Sequence, residues 1–445
     1  MRTLTLAQAA QMAGGTCSGS GLVTNVTLDS RQATEGSLFV ALRGEKVDGH
    51  QFVADVLNLG GFAMVRRDTV KLPGIIEVDD PLKGLQNLAR AYLRQYDLPI
   101  VAVTGSNGKT TTKDMITRVL HERFEVHSSA KNYNNELGLP LTVLGLDDTH
   151  QALVVEMGMR GIGQIRELTE ICPPKIAVIT NVGPVHLEIL KSMENIAQAK
   201  AEIIEALPPN GLAVLNGDDP WVRRIAGLTQ AQALFYGQNP DNDLVISELE
   251  IDRWGRASFC VEGLGVSGRI ALNVPGRHNV WNASAALIVG LKSGVPFAAC
   301  AAALADVQLT GMRLETIELK KGALILNDAY NASPASMRAA LDTVAALNRT
   351  GEKIAILGDM LELGPISEDA HREIGAYAAS CCSKLLFVGR WAEVYRAGAG
   401  RGEVFSSVEE LLENLPTLNG GDLALIKASR GLRLERVVER LKEGD

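Results

Sequence analysis

The stretch Val103-Thr104-Gly105-Ser106-Asn107-Gly108-Lys109-Thr110-Thr111 has the residue types and order that bind phosphate. It follows the apolar run IVAV and opens the helical stretch TTKDMITRVLHERF, the strand–turn–helix setting such a loop needs. Glycines at 105 and 108 let backbone approach an anion closely. The N–H groups of the turn and of the helix start then cradle phosphate oxygens. Lys109 is placed to reach the β- and γ-phosphates of ATP, and the Thr110 hydroxyl to bind Mg²⁺. The general G-x-x-x-x-G-K-[ST] pattern has glycine where this chain has Val103. The competing reading is an ordinary glycine turn ahead of a helix.

Other side chains gain meaning beside that loop. Glu156 ends the run ALVVE, and His186 follows the run IAVITN after a short loop. If those strands neighbour Ile100–Thr104, an acid and an imidazole lie beside the γ-phosphate, which suits Mg²⁺ or Mn²⁺. Alone, a strand-end glutamate is more often a solvated or capping residue. Asn279 and Asn282 are three apart at a helix start, so both can face one ligand, and their carboxamides suit the edge of an adenine. Asn279 can equally be a helix cap. Arg313 and Asp328 sit in GMR and NDAYNASP, where they can hold phosphate or ribose or form an interdomain ion pair. Lys200, in NIAQAKAEIIEAL, reads by itself as a solvated helix lysine.

These residues need a scaffold of several units. A chain of 445 residues exceeds one core and predicts about three domains. Apolar content of 46% with only 4% aromatics predicts aliphatic cores. Residues 1–97 read as short strands (GSLFVAL, FAMVRR, IIEVDD) with a helix from Pro81 to about Tyr96, closed by Asp97-Leu98-Pro99. Residues 98–310 alternate buried strands and helices, the mark of a parallel sheet whose ligands bind beyond the strands' carboxyl ends. Within that span 240–275 turns strand-like again. Residues 311–445 repeat the alternation after Leu309-Thr310-Gly311 and read as a Rossmann-like unit. The expected class is α/β, with a central phosphate-loop domain.

A net charge of −8 argues against nucleic acid or an acidic membrane as partner. No stretch approaches the ~20 apolar residues of a membrane span, and the N-terminal MRTLTLAQAAQMAGG has no signal-peptide core. Six cysteines without a C-x-x-C pair read as reduced thiols. A cytoplasmic protein is expected.

Taken together, TGSNGKTT, VVEMGMRG, NVGPVHLE, AQAKAEI, PGRHNVWN, GMR and NDAYNASPASM resemble the Mur ligases, which build the peptide of bacterial peptidoglycan. FVALRGEKVDGHQF, KNYNNELGLP and LGDMLELG make the likeness greatest to the branch that adds D-alanyl-D-alanine. The resemblance implies ATP-dependent joining of D-alanyl-D-alanine to UDP-N-acetylmuramoyl-tripeptide through an acyl-phosphate, by a monomer. It implies Lys109 and Thr110 at ATP and metal, with Lys109, Lys200 and His186 in catalysis. Glu156, His186 and a carbamylated Lys200 form the second metal site. Thr104, Gly105, Ser106, Asn107, Gly108, Thr111, Asn279, Asn282, Arg313 and Asp328 complete the ATP site. The uridine nucleotide falls to Asp29, Ser30, Arg31, Gly44, Asp48 and His50, and the muramoyl-peptide to Asn134, Asn135 and Glu136. Ala428-Ser429-Arg430 departs from the more usual Gly-Ser-Arg. The rivals are a folylpolyglutamate-synthase-like amide ligase and a phosphate-loop switch or transport ATPase. The first lacks a use for the segment around Asp29-Ser30-Arg31. The second has no use for a second substrate domain, and no N-K-x-D motif is present.

Overall fold

The structure, a computed structural model, describes residues 1–44, 47–130 and 132–444. Glu45 and Lys46 of FVALRGEKVDGHQF, and Lys131 of KNYNNELGLP, lie outside the described residues. The architecture is α/β in three domains, as the alternation predicts.

The N-terminal sheet runs Thr16–Ser18, Ile75–Val78, Phe62–Arg66, Ser37–Val40, Asn25–Thr27, with only the first pair antiparallel. Its helix Pro81–Leu93 starts where Asp80 accepts from the Leu82 and Lys83 amides and Pro81 sets the first turn. It ends at Leu93, short of the expected Tyr96. This helix is the domain's anchor. Leu85, Leu88, Ala89 and Tyr92 join one core with Leu139, Val143, Leu153 and Ile165 of the central domain, and Tyr92 Oη donates to the Leu146 carbonyl at 2.6 Å.

The central sheet has nine strands, in the order Val266–Pro275, Arg256–Gly263, Leu244–Ile251, Gln232–Gly237, Leu212–Asn216, Ile176–Ile179, Ile100–Thr104, Ala152–Glu156, Val126–Ser128. The strands before 240 are parallel, and the interior ones, Ile100–Thr104, Ala152–Glu156, Ile176–Ile179 and Leu212–Asn216, are almost wholly buried, because helices cover both faces. The strands of the 240–275 region form an antiparallel extension. Ile100–Thr104 lies between Ile176–Ile179 and Ala152–Glu156. The carboxyl ends that carry the phosphate loop, Glu156 and the approach to His186 are therefore adjacent.

The C-terminal sheet orders Glu315–Glu318, Leu324–Asp328, Leu423–Lys427, Lys353–Gly358, Lys384–Val388, Glu403–Phe405, parallel except for the first pair. Its two cores are its own. The N-terminal domain is thus fused to the central one through apolar packing, while the named contacts of the C-terminal domain with the site are polar. No helix among the described residues is long and apolar enough to cross a membrane.

Candidate active site

A cleft of about 1160 Å³ lies between the central and C-terminal domains. The phosphate loop forms its floor. Gly105 has φ 153°, and a Cβ there would lie 1.9 Å from Thr180 Oγ1. Gly108 has φ 81°, and a Cβ there would lie 2.7 Å from Asn282 Oδ1. The segment after strand Ile176–Ile179 clamps the loop. The Ser106 amide donates to the Asn181 carbonyl and the Asn107 amide to Asn181 Oδ1, at 3.0 and 2.9 Å, while Thr180 Oγ1 donates to the Asn107 carbonyl at 2.6 Å. Those two loop amides are spent internally, so the anion cradle is the start of helix Lys109–Leu120, whose first N–H groups have no partner within the helix. Thr180 and Asn181 were not singled out from sequence, although Asn181 opens the quoted NVGPVHLE and Thr180 immediately precedes it. Gly105→Ala is expected to lower the melting midpoint, by an overpacking cost of ~1–3 kcal/mol, and to weaken nucleotide binding, read by calorimetry.

Lys109 folds back on this loop, donating to the Gly105 carbonyl at 2.8 Å. Burial pushes its ammonium pKa down; Glu156 opposes this, and Arg313 adds to it. Thr110 Oγ1 donates to Glu156 Oε2 at 2.6 Å, and Asn134 Nδ2 donates to Glu156 Oε1 at 2.7 Å. Arg313 reaches in from the C-terminal domain, with Nη2 donating to Thr110 Oγ1 at 3.0 Å and its guanidinium 3.8 Å from the Tyr330 ring centre. Arg313 Nη1 is buried without a partner. An unspent donor beside a phosphate loop suits a phosphoryl oxygen. The paired Thr110 hydroxyl and Glu156 carboxylate are hard oxygen donors of the kind that hold Mg²⁺, an ion that takes one or two such protein ligands and completes its shell with water and phosphate.

The remaining residues separate. His186 (φ 55°) sets its Nδ1 2.5 Å from Glu362 Oε2, and hydrogen bonding from the imidazole holds the Glu362 carboxyl below its usual range. Among the described residues no three His, Cys, Asp or Glu side chains converge on one metal-sized point. Lys200 does not line the cleft. It is 2% exposed on helix Met193–Glu205, and burial followed by the charge of Lys109 pushes its pKa well down. The solvated-lysine reading is thereby corrected: Ala199, Ala201, Ile203 and Ile204 are buried with it.

Asn279 and Asn282 line the cleft, but their carboxamides are committed. Asn279 Nδ2 donates to the Pro275 carbonyl, Asn282 Nδ2 to Asn279 Oδ1, and Thr112 Oγ1 to Asn282 Oδ1. They bind helix Asn279–Lys292 to the phosphate-loop helix. Asp328 pairs with Lys427 at 2.5 Å, inside the C-terminal domain and not across domains. Lys427 also donates to the Asn331 carbonyl at 2.9 Å. Sequence reasoning missed it, although a lysine ending the apolar run DLALIK stands on the ligand side of its sheet. Ser333 Oγ donates to Asn107 Oδ1 at 2.8 Å, a second polar link from the C-terminal domain to the loop.

Three family descriptions match in order: the Mur ligase family catalytic domain over residues 22–92, the Mur ligase middle domain over 103–290, and the Mur ligase glutamate ligase domain over 312–430. The chain is 38% identical to the UDP-N-acetylmuramoyl-tripeptide–D-alanyl-D-alanine ligase of Bacillus subtilis (strain 168), covering 95% of this chain and 94% of that protein. The chain belongs to the Mur ligase family. Its fold matches the crystal structure of MurF from Acinetobacter baumannii with a TM-score of 0.91 and 30% identity over 98% of both chains. It also matches MurF from Thermotoga maritima in complex with ADP, with a TM-score of 0.84 and 31% identity over 95% of this chain and 98% of that one.

In this Mur ligase the N-terminal motif residues stand apart from the cleft wall. Asp29 caps the short turn Ser30–Gln32 and chelates Arg31, whose side chain is 87% exposed. Asp48 holds His50 Nδ1 at 2.6 Å, while His50 Nε2 accepts from the Arg66 amide, fixing the ring. Gly44 donates its amide to the Val47 carbonyl. Asn135 caps the next helix through the Gly138 amide, and Glu136 is exposed; with Asn134 both line the cleft.

Proposed function

We propose that this Mur ligase uses ATP to join D-alanyl-D-alanine to UDP-N-acetylmuramoyl-tripeptide. The observation that carries the reading is the meeting of Lys109, Thr110–Glu156 and Arg313, from two domains, at one phosphate loop. The tripeptide carboxylate attacks the γ-phosphorus. Its oxygen–phosphorus bond forms as the bond to the ADP oxygen breaks. The amine of D-alanyl-D-alanine then attacks the acyl carbon, the carbon–oxygen bond breaks, phosphate departs and the amine loses a proton. Two anions must meet in the first step, so Lys109, the first amides of helix Lys109–Leu120 and Arg313 supply positive potential where charge builds. Mg²⁺ held by Thr110 and Glu156 neutralises phosphate charge when bound.

Asn279 and Asn282 serve the nucleotide by fixing the loop's helix, and Asp328 with Lys427 shapes the ATP side of the C-terminal wall. Thr104 to Thr111 hold the phosphates. His186 and Lys200 act in catalysis, as the family resemblance implies. Lys200 is carbamylated in the active enzyme; its buried, proton-poor amine supports this. Residues 1–97 take the uridine nucleotide through Ser30, Arg31, Gly44, Asp48 and His50. Asn134, Asn135 and Glu136 face the muramoyl-peptide, and the domain beyond residue 310 takes the amine and excludes water from the acyl-phosphate. The enzyme acts in the cytoplasm, a reading favoured by six free thiols, and as a monomer.

The test is mass spectrometry of product with ATP, the UDP-muramoyl-tripeptide and D-alanyl-D-alanine. Phosphate release without the UDP substrate or without the amine would remove the reading. A folylpolyglutamate-synthase-like activity would show no uridine-nucleotide dependence. Arg31→Ala is expected to raise the apparent KM for the UDP substrate about tenfold, the loss of one charge-assisted contact of ~1.5 kcal/mol, and that for ATP less than twofold. Equal effects on both substrates would count against the N-terminal assignment.

A further inference from the structure

The loop after strand Lys353–Gly358 lines the cleft through Leu361, Glu362 and Leu363 and touches the central domain. Its tip, Glu362, has φ 63° and meets His186, itself at φ 55°. Left-handed backbone in such residues persists only where the surroundings hold it, and it clusters at clamps and switches. Arg160 adds a cation, 3.6 Å from the other Glu362 oxygen. Two positions beyond, Gly364 (φ 59°) lies so close to the central domain that a Cβ would stand 3.0 Å from Glu188 Cα. The approach is therefore backbone to backbone and needs a glycine.

The loop is also braced from behind. The Met360 amide donates to His371 Nε2 at 2.9 Å, the Leu361 amide donates to Ser429 Oγ at 3.0 Å, and the Ser429 amide donates to the Asp359 carbonyl at 3.1 Å. His371 is fully buried and stacked on Trp391. A rigid support thus presents a half-exposed carboxylate to a partner domain.

We infer that Glu362 is a positioning residue: it latches the C-terminal domain onto the central domain at His186 and Arg160, completing the closed cleft and holding the His186 ring in one orientation. An exposed charge pair is too weak to decide folding. It is strong enough to shift an open–closed balance in which neither state dominates, because such a balance responds to small differential contacts. The inference rests on closure being part of the reaction. It is separable from the choice of substrates, because closure is read with nucleotide alone.

The experiment compares the full-length protein and Glu362→Gln by small-angle scattering, with and without Mg²⁺ and a non-hydrolysable ATP analogue at one pH, beside melting curves and steady-state kinetics. The expected result is an unchanged melting midpoint and a closed-to-open ratio about fivefold lower in the variant with analogue, the upper end for such a pair. kcat should fall severalfold, with the KM for ATP within twofold. Gly364→Val, which keeps Glu362 but pushes the loops apart, should reproduce the scattering change. Scattering by Glu362→Gln identical to the parent in both states overturns the latch. So does a loss of kcat with normal compaction.

Discussion

Lys109→Ala is expected to lower kcat for ligation by about a thousandfold, in the range found when one preorganised charge donor is removed from a transition state. Melting should not suffer. The side chain is half-buried, desolvation pushes its pKa down, and it occupies only loop carbonyls. Removing it relieves a desolvated charge beside Arg313, so the midpoint should stay level or rise. Phosphate release and product mass give the first reading, and thermal unfolding the second. Near-normal turnover would remove the phosphate-loop assignment. A collapsed midpoint would make Lys109 a structural residue instead.

That residue was legible because its signal is local. A glycine turn between an apolar strand and a helix fixes where a lysine one step into the helix stands. The same holds for Glu156, which ends a buried strand beside Ile100–Thr104. Legibility fell where the deciding partner is distant in sequence. The i,i+3 spacing of Asn279 and Asn282 correctly puts both on one face. Nothing local shows that Thr112 and the Pro275 carbonyl take their carboxamides. His186 and Glu362 are brought together only by docking of two domains, so each alone looks like a loop residue.

The fold shows the same division. Interior strands such as Ala152–Glu156 and Leu423–Lys427 announce themselves as apolar runs. The edge strands Val126–Ser128, Glu315–Glu318 and Glu403–Phe405 are short and half polar, and without their neighbours they look like loop. The apolar docking of helix Pro81–Leu93 on the central domain was also hidden. An amphipathic helix declares that it has a buried face but not which domain supplies the cover. Lys200 is the instructive case. A lysine on a helix is usually solvated, and NIAQAKAEII is polar at four of ten positions, so the burial of Lys200 shows only in the packing, where Ile196, Ala199, Ala201, Ile203 and Ile204 are buried with it.

Lys200 therefore supports the other large expected effect. In water a lysine has a pKa of ~10.4, so only about one in a few thousand is neutral at pH 7. Burial and the nearby charge of Lys109 move the pKa well down, so the neutral amine that CO₂ requires is far more abundant here. Carbamylation would turn that neutral amine into a buried anion within the field of the Lys109 ammonium. Lys200→Ala is expected to lose at least about a hundredfold in kcat, the scale set by one preorganised charged group, and to regain part of it with a short carboxylic acid in solution. Stability carries an independent sign. A lysine whose pKa is lower folded than unfolded binds its proton mainly in the unfolded chain, so it destabilises at neutral pH, and the penalty fades as pH rises towards ~10.4. In CO₂-depleted buffer without metal, Lys200→Met should melt at or above the parent at pH 7, with the gap narrowing at alkaline pH. Bicarbonate should raise the parent's activity and leave Lys200→Met unaffected. Full activity of Lys200→Ala in CO₂-depleted buffer would return Lys200 to a packing role on its helix.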